Sequence, residues 1–375
     1  MKKIKKNKIL YVVNSINFLI SHRYEVCQSV QDDGDSVLII CGNEELKDEY
    51  ILQAKNLNFV QINFNRLEKN PIKILASIIK IIKIISEFQP NVVHTVSPLG
   101  NLMGGLGSIF FSKIHLISAI SGRGTLYIRK NASTKLMKKL FSICEYIYLN
   151  KKKSSTITQN SVDYYEVRKK QFSKKNNEII FGSGVNLSKF YPKSNNKIYD
   201  FCFIGRLTED KGIVDFIKAS EIAFDYNKDL KFLILGEMPI ENKKLCAELD
   251  SHFKQKKYIT YNGFSSSLID YYNSSRYLCL PSKREGMPRV VLEASACGIP
   301  SIVYDVVGCN EAIKNNVNGY IVKKLNPNAY ADKMIKLSKK QVSNDFIAQC
   351  QSYAKERFSI EYVIQAHKKI YRLYN

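Results

Sequence analysis

Short runs of apolar, β-branched residues alternate with helix-length segments along the chain, and this alternation occurs in both halves of the sequence. Runs that are apolar at nearly every position indicate strands covered on both faces, as in a parallel sheet flanked by helices. Each half, of roughly 190 residues, is long enough to bury a hydrophobic core of its own. The sequence therefore predicts an α/β fold with two doubly wound, Rossmann-like domains that face each other across a cleft.

The alternation assigns the elements and the domain limits. The predicted strands are 9–13, 37–41, 92–95, 115–120 and 156–158 in the first half, and 200–204, 231–235, 258–261, 277–280 and 301–304 in the second. The predicted helices include 71–88, 101–111, 134–149, 213–224, 241–252, 268–273 and 288–296. The predicted domains are 1–185 and 198–358, joined by a turn-rich segment at 184–197, with a helix at 360–375 that packs back on the first domain.

The charge of the chain is strongly basic and unevenly distributed. The net charge is +23, and residues 1–190 hold 29 Lys/Arg against 14 Asp/Glu. Such an excess favours nucleotides, phospholipid head groups or nucleic acid as partners, although a composition bias toward lysine explains the overall value equally well. No aromatic-rich signature or recognised nucleic-acid-binding module is present, so no nucleic-acid partner is expected.

The cysteines and the hydropathy indicate a cytoplasmic protein. Nine cysteines are scattered without any C-x-x-C pair, which argues against a disulfide framework or a zinc site and for a reducing compartment. The apolar run at 9–13 is too short for a secretory signal, and no stretch reaches 18 apolar residues.

The stretch S-K-R-E-G-M-P-R-V-V-L-E at 282–293 places two glutamates around the start of a predicted helix. Pro288 suits the first helical position, so Glu285 lies in the preceding loop and Glu293 within the helix. Backbone N–H groups near Gly286 and Met287 then favour an anion. Two interpretations remain open: carboxylates that bind the hydroxyls of a nucleotide sugar, or two solvated glutamates.

A second loop, F-I-G-R-L-T-E-D-K-G at 203–212, follows the first strand of the second domain. Gly205 permits a tight turn, while Arg206 and Lys211 place two cations at the carboxyl edge of the sheet, where ligands bind in doubly wound folds. A departing nucleoside diphosphate needs such cations because its charge grows as the glycosidic bond breaks. This loop favours the nucleotide-sugar interpretation.

These two motifs, together with L-I-L-G-E at 233–237, P-N-V-V-H-T at 90–95 and G-V-N-L-S-K-F-Y-P at 184–192, resemble the retaining glycosyltransferases of family 4, which have the GT-B fold. The resemblance implies that Arg206 and Lys211 bind the donor diphosphate and stabilise it as the leaving group. It implies that Glu285 contacts the donor sugar and Glu293 the ribose. The main chain at Gly286, Met287 and Pro288 would approach the sugar and phosphates, with Gly205, Gly236, Glu237, Gly263 and Phe264 around the nucleotide. No metal or other cofactor is implied.

The acceptor side is expected in the first domain, where the sequence departs from the family pattern. Ser121 stands where many relatives carry His or Glu, beside Gly122 in the glycine-containing segment 120–127. Asn14 begins a loop that is often glycine-rich in relatives. His22 and Arg23 either face the cleft or are structural.

The D-x-D match at 33–35 lies in a polar turn just before a strand. We interpret it as a surface turn and expect no metal site there.

Two basic amphipathic segments raise the question of membrane contact. Residues 71–88 carry lysines among isoleucines, and residues 129–153 carry clustered lysines. We expect core packing for the first segment and contact with an anionic membrane surface for the second, which predicts a peripheral protein on the inner face of the cell membrane.

The predicted function is retaining transfer of a hexose or N-acetylhexosamine from a UDP-sugar to a lipid-linked or other glycan acceptor in bacterial surface polysaccharide or glycoconjugate synthesis. The alternative is a nucleotide-sugar epimerase or hydrolase on the same fold, which would need further acid/base residues in the cleft.

Overall fold

The computed structural model describes residues 6–65, 68–122, 132–172, 176–193 and 197–373. The chain divides into two compact units: unit 1 comprises Met1–Ser183 with Glu361–Asn375, and unit 2 comprises Gly184–Ile360. Each unit is built on a parallel β-sheet, with seven strands in unit 1 and six in unit 2 among the described residues. The segment that follows Ile360 therefore returns to the unit that contains the first strand.

The strands of unit 1 are β1 (Lys8–Val13), β2 (Ser36–Gly42), β3 (Phe59–Ile62), β4 (Val92–Val96), β5 (His115–Ile120), β6 (Ser154–Thr158) and β7 (Asn177–Ile179). Those of unit 2 are β8 (Tyr199–Ile204), β9 (Phe232–Leu235), β10 (Ile259–Tyr261), β11 (Ser275–Leu280), β12 (Ser301–Tyr304) and β13 (Gly319–Val322). The sheet orders are β3-β2-β1-β4-β5-β6-β7 and β10-β9-β8-β11-β12-β13. The order reverses between β1 and β4 and between β8 and β11, so each sheet is doubly wound, and the predicted fold class is confirmed.

The helices follow in chain order. They are α1 (Ile16–Asp32), α2 (Ile51–Ala54), α3 (Pro71–Phe88), α4 (Pro98–Ser108), α5 (Ala132–Leu149), α6 (Ser161–Arg168), α7 (Ile213–Tyr226), α8 (Lys243–Gln255), α9 (Ile269–Asn273), α10 (Arg289–Ala296), α11 (Cys309–Ala312), α12 (Pro327–Ser338), α13 (Asn344–Phe358) and α14 (Ile360–Arg372). Within the described ranges, no helix is both long enough and apolar enough to cross a bilayer.

Helices α3, α4 and α5 cover one face of the unit 1 sheet, where they share a core cluster with β1, β4 and β5. Glycines let α4 approach its neighbours closely. A Cβ at Gly104 would lie 2.5 Å from Thr95 Cγ2, and one at Gly105 would lie 2.7 Å from the Tyr148 ring. This glycine-rich composition obscured the start of the helix: we predicted 101–111, but α4 begins three residues earlier, at Pro98.

Helix α14 packs on the other face of this sheet through a buried polar cluster. Tyr11 and Tyr371 join their hydroxyl groups across 2.5 Å, and the Tyr371 hydroxyl lies 2.7 Å from His94 Nδ1. His367 stacks on His94 with ring centroids 5.8 Å apart, and Arg23 is 2% exposed. These five residues, the Tyr11 cluster, anchor the returning helix in the interior of unit 1.

We expect the free energy of unfolding to fall as the pH drops below about 6.5. Burial, with a further contribution from Arg23, lowers the pKa of His367 to about 3, and burial also lowers that of His94. The unfolded chain therefore binds protons between pH 6.5 and 3 that the folded chain does not, and each histidine contributes a loss of up to about 1.4 kcal/mol per pH unit. Urea unfolding at pH 7 and pH 5 should show this loss, and His367→Gln should reduce it. Equal losses in both proteins would contradict the assignment.

The core of unit 2 is rich in aromatic side chains. Phe201 stacks on Phe232 and on Tyr277, with centroid separations of 5.8 and 5.6 Å, and Phe203 contacts Phe216 at 5.5 Å. These rings tie β8 to β9, β11 and α7. They fix the loop that connects β8 to α7, which contains Arg206 and Lys211.

The short strands β3, β7 and β13 were not predicted. They have four, three and four residues, and their side chains are largely half-buried or exposed. β3, β7 and β13 lie at sheet edges, where strands can be short and only partly buried.

Candidate active site

Strand-end loops of unit 2 pack tightly at the carboxyl edge of its sheet. A Cβ at Gly236, after β9, would lie 1.8 Å from the Gly205 carbonyl oxygen, after β8. The Gly236 N–H donates to the Gly263 carbonyl oxygen, after β10, across 2.7 Å, and the Leu207 N–H donates to the Glu237 carbonyl oxygen across 3.1 Å. These contacts bring three of the predicted loops together.

Lys211 and Glu285 form the central ion pair of this edge. Lys211 ends the 3₁₀ helix Glu209–Lys211 before α7, and Glu285 lies between β11 and α10. Lys211 Nζ donates to both carboxylate oxygens, at 2.6 and 2.8 Å, and Ser282 Oγ donates to Oε1 at 2.8 Å. The two side chains are 23% and 10% exposed. A cation and a carboxylate are thus held side by side, with some access from solvent.

The backbone fixes the relative position of the two loops. The Lys283 N–H donates to the Asp210 carbonyl oxygen across 2.9 Å. Gly212 has φ +80, and a Cβ there would lie 2.0 Å from the Pro281 carbonyl oxygen. Only glycine permits the backbone of residue 212 to lie this close to the Pro281 carbonyl oxygen. This contact fixes the conformation of the loop directly after Lys211.

A third loop, after β12, supports Glu285 from another side. The Glu285 N–H donates to the Val307 carbonyl oxygen across 3.0 Å. Gly308 has φ +82, and a Cβ there would lie 2.5 Å from the Glu285 carbonyl oxygen and 2.6 Å from that of Gly286. Burial raises the pKa of the neighbouring Cys309 thiol, and the charge of Glu285 raises it further. Cys309 therefore stays neutral beside the ion pair.

Arg206 occupies the same loop but extends into solvent. Its side chain is 53% exposed, and Nη2 lies 3.8 Å from Asp210 Oδ2, a weak contact. Its guanidinium is thus accessible to solvent at the edge that carries Lys211.

Glu293 lies inside the protein. It is 4% exposed, and its oxygens accept hydrogen bonds from Arg289 Nε at 2.7 Å and Tyr272 Oη at 2.9 Å. The interpretation of Glu293 as an exposed, solvated residue is therefore wrong. A carboxylate has about four acceptor sites, so two bonds leave it capacity for further donors. Helix α10 begins at Arg289, so Pro288 precedes the helix instead of occupying its first position.

The other residues predicted to bind the donor differ in their exposure to solvent. Met287 is 8% exposed, whereas Phe264, which follows Gly263, is 53% exposed, and Glu237 is also exposed. Sequence reasoning missed Tyr272, Ser282 and Arg289, because a hydroxyl or a guanidinium that contacts a carboxylate carries no motif of its own.

The predicted acceptor-side residues of unit 1 do not all lie together. Asn14 follows β1, while Ser121 and Gly122 follow β5, all at the carboxyl edge of the sheet. His22 lies within α1, where its ring stacks on Phe18 at 4.3 Å. Arg23 belongs to the buried Tyr11 cluster, so its alternative placement in a cleft is wrong.

A cleft opens beside the ends of β4 and β5. Its walls are Ser97, Pro98, Asn101, Leu102, Ile120, Ser121, Gly122, Phe141, Glu145 and Tyr148. The rest of the predicted segment 120–127, from residue 123 onward, lies outside the described residues.

The D-x-D match is a turn that holds α14. Asp33 pairs with Lys368 at 2.8 Å and Arg372 at 3.4 Å, and Asp35 accepts a hydrogen bond from the Asn7 N–H at 2.8 Å. Both carboxylates thus have structural partners.

Two family models match the chain. Residues 8–161 match the glycosyl transferase 4-like family, and residues 186–357 match glycosyl transferases group 1. Among curated proteins, the chain is 24% identical to the N,N'-diacetylbacillosaminyl-diphospho-undecaprenol alpha-1,3-N-acetylgalactosaminyltransferase of Campylobacter jejuni, over 83% of this chain and 84% of the relative. It is 22% identical to the UDP-Gal:alpha-D-GlcNAc-diphosphoundecaprenol alpha-1,3-galactosyltransferase of Escherichia coli, over 98% of this chain and 96% of the relative.

Two solved structures share the fold of this chain over nearly their whole length. Anabaena HepE, solved with UDP and glucose, superposes with a TM-score of 0.79 at 14% identity, covering 97% of this chain and 99% of HepE. Sucrose-phosphate synthase from Thermosynechococcus elongatus superposes with a TM-score of 0.80 at 16% identity, covering 98% of this chain and 99% of the synthase.

The matched ranges follow the two parallel-sheet units, and the relatives named here transfer sugars; none of them supports the epimerase alternative. The chain belongs to the GT-B glycosyltransferases, with a glycosyl transferase 4-like domain followed by a group 1 domain.

Proposed function

We propose that this glycosyltransferase moves a hexose or N-acetylhexosamine from a UDP-sugar to a lipid-diphosphate-linked saccharide, with retention at the anomeric carbon, in the synthesis of a bacterial surface glycan. The Lys211–Glu285 pair carries the proposal, because it joins a cation and a sugar-binding carboxylate where loops of a doubly wound sheet meet. The names of the Campylobacter and Escherichia relatives, both with diphospho-undecaprenol acceptors, support this acceptor class.

Each donor-side group has one task in this proposal. Lys211 and Arg206 neutralise the diphosphate, and Glu285 accepts hydrogen bonds from hydroxyls of the sugar. Glu293 accepts from the ribose hydroxyls at its remaining acceptor sites, while Gly263 and Phe264 border the nucleobase. Since two side-chain cations already face the diphosphate, we propose that no metal ion is required, and EDTA should leave turnover unchanged.

The proposed reaction is a front-face displacement. The bond between the anomeric carbon and the diphosphate oxygen breaks, and an acceptor hydroxyl oxygen bonds to the same face of the oxocarbenium-like carbon. The acceptor proton passes to the departing diphosphate, which leaves as UDP. Lys211 stabilises the charge that develops on that leaving group.

A donor screen tests the function. UDP-linked sugars are incubated with and without a lipid-diphosphate-linked saccharide, and released UDP and the sugar products are measured. Release that depends on the acceptor, with an α-linked product from an α-linked donor, is the expected result. Sugar interconversion without acceptor would indicate an epimerase, and acceptor-independent release would indicate a hydrolase.

We further propose peripheral binding to an anionic membrane through the outer face of α3 and α5. On α5, Leu140, Ile143 and Ile147 are 52%, 49% and 47% exposed at helical spacing. On α3, Ile81 and Ile85 enter the core as expected, but Ile72, Leu75 and Ile79 are 76%, 59% and 60% exposed. These two sets of three residues, the apolar stripes, lie beside exposed lysines at 73, 80, 83 and 139, which complement anionic lipid.

The double variant Ile143→Glu/Ile147→Glu should weaken binding to vesicles rich in anionic lipid by about 10-fold or more. Two apolar side chains that would enter the membrane are replaced by negative charges that anionic lipid repels. Cosedimentation at low salt measures this, and high salt should weaken the wild-type protein too. Ile240→Glu, at an 81% exposed site of unit 2, is the matched control and should bind normally. Equal binding by the double variant and the wild type would rule out the stripes as the membrane contact.

A further inference from the structure

The first turn of α4 is built in an unusual way. Ser97 precedes Pro98 at the cap position, with φ +73 and ψ 157, a region that non-glycine residues rarely occupy. Serine ordinarily caps a helix by accepting a hydrogen bond from the N–H of the second or third residue. Here it makes no capping bond. The backbone therefore holds the hydroxyl away from its ordinary local partner.

The Ser97 hydroxyl and the first backbone N–H groups of α4 have no hydrogen-bond partners among the described residues. Ser97 is 6% exposed, and its Oγ has no hydrogen-bond partner in the described part of the chain. No hydrogen bond among the described residues uses the backbone N–H groups of Leu99 or Gly100 either. A buried unpaired polar group is costly, and strained backbone of this kind concentrates at functional sites. A hydroxyl together with the positive end of an 11-residue helix suits an oxyanion.

The surrounding cleft joins this polar end to apolar walls. Ser97 lines the cleft together with Leu102, Ile120 and Phe141. Asn101 fixes the first turn of α4, because Nδ2 donates to the Ala119 carbonyl oxygen at 3.0 Å and Oδ1 accepts from Thr95 at 2.7 Å.

The acidic residue in the cleft wall is already neutralised. Glu145 Oε2 lies 2.5 Å from Lys170 Nζ. The cleft thus offers an anion-binding end and an apolar wall, without an unpaired carboxylate that would repel an anion.

We infer that this cleft binds the phosphate end of a polyprenyl diphosphate, with Ser97 Oγ and the first N–H groups of α4 facing its oxygens. The inference rests on the proposed function, since it assigns the lipid-diphosphate part of the acceptor. Phe141 belongs to α5, the helix whose exposed stripe we assign to the membrane, so the apolar wall of the cleft and the proposed membrane contact are on the same helix.

Calorimetric titration of the full chain with farnesyl diphosphate and with inorganic pyrophosphate tests this site. Saturating UDP is present throughout, so that the Lys211 loop is occupied. Wild-type protein should bind farnesyl diphosphate more tightly than pyrophosphate, because only the former contacts the apolar wall. Ser97→Ala and Ser97→Gly should each weaken farnesyl diphosphate binding by about 10- to 100-fold, the range for a hydrogen bond to a charged group.

The two variants separate ligand binding from strain. Glycine tolerates φ +73, so Ser97→Gly should be at least as stable as Ser97→Ala while losing the same affinity. UDP binding should be unchanged in both, since Ser97 lies in unit 1. Unaltered farnesyl diphosphate affinity in both variants, no binding by the wild type, or equal affinity for pyrophosphate would overturn the inference. Failure of UDP to bind at all would instead refute the proposed function.

Discussion

Replacing Lys211 with alanine is expected to lower the turnover of sugar transfer by about 10²- to 10³-fold, the usual cost of removing one group that stabilises a developing anion. Lys211 has a defined position, because its ammonium group contacts both oxygens of Glu285 at 2.6 and 2.8 Å. Its loss also leaves Glu285 with Ser282 as its remaining side-chain donor among the described contacts, so an unneutralised carboxylate faces the diphosphate. Acceptor-dependent UDP release under saturating substrates measures the effect.

The control is Lys218→Ala. Lys218 is exposed on α7, which begins just after Lys211, and its replacement should leave turnover unchanged. Arg206→Ala should also lower turnover, because its exposed guanidinium is the second cation of the proposed diphosphate site. Thermal melting of each variant separates a catalytic loss from unfolding. Folded Lys211→Ala protein with wild-type turnover would remove the leaving-group role from this residue.

Replacing Gly308 with alanine should lower turnover by about 10²-fold, although residue 308 contributes no side chain to the reaction. The new methyl group would lie 2.5 Å from the Glu285 carbonyl oxygen and 2.6 Å from that of Gly286, so the loop that carries Glu285 must move. A displacement of about 1 Å at a reacting centre costs about 10²-fold in rate. Alanine at φ +82 also adds roughly 1–3 kcal/mol of backbone strain, because non-glycine residues rarely occupy this conformation.

Gly34→Ala is the control that separates the effect of backbone strain from the effect of moving the Glu285 loop. Gly34 has φ +87, but a Cβ there would meet only the flexible end of the Lys6 side chain. This variant should therefore lose stability through backbone strain alone and keep its turnover. Melting temperatures and UDP release, measured on both variants, give the comparison. If Gly308→Ala retains full turnover, the carbonyl contacts do not position Glu285.

Interior elements could be predicted from the sequence because their signals are local. Strands β1, β4 and β5 are mostly apolar and almost fully buried. Helix α3 begins where Asn70 caps it and Pro71 occupies its first position, so both of its ends agree with the prediction. The edge strands β3, β7 and β13 are short and only partly buried, and their signal is weaker. The start of α4 was missed, although Ser97 and Pro98 form a recognisable start signal, because the glycines that follow are poor helix formers.

The contacts of the site depend on sheet order, which local patterns do not reveal. Lys211 and Glu285 are 74 residues apart, and they meet because β8 and β11 are adjacent strands. Their motif loops were identified, but the direct ion pair was not. Burial of Glu293 against Tyr272 and of Arg23 beneath α14 likewise follows from packing between distant segments.

The return of α14 to unit 1 has a consequence for biosynthesis. Unit 2 is continuous in sequence and can complete its fold as soon as it has left the ribosome. Unit 1 begins earlier but finishes later, because Tyr11 and His94 have no partner in Tyr371 until the whole of unit 2 has been translated. During that interval Tyr11 and His94 lack the covering that α14 gives them in the finished fold.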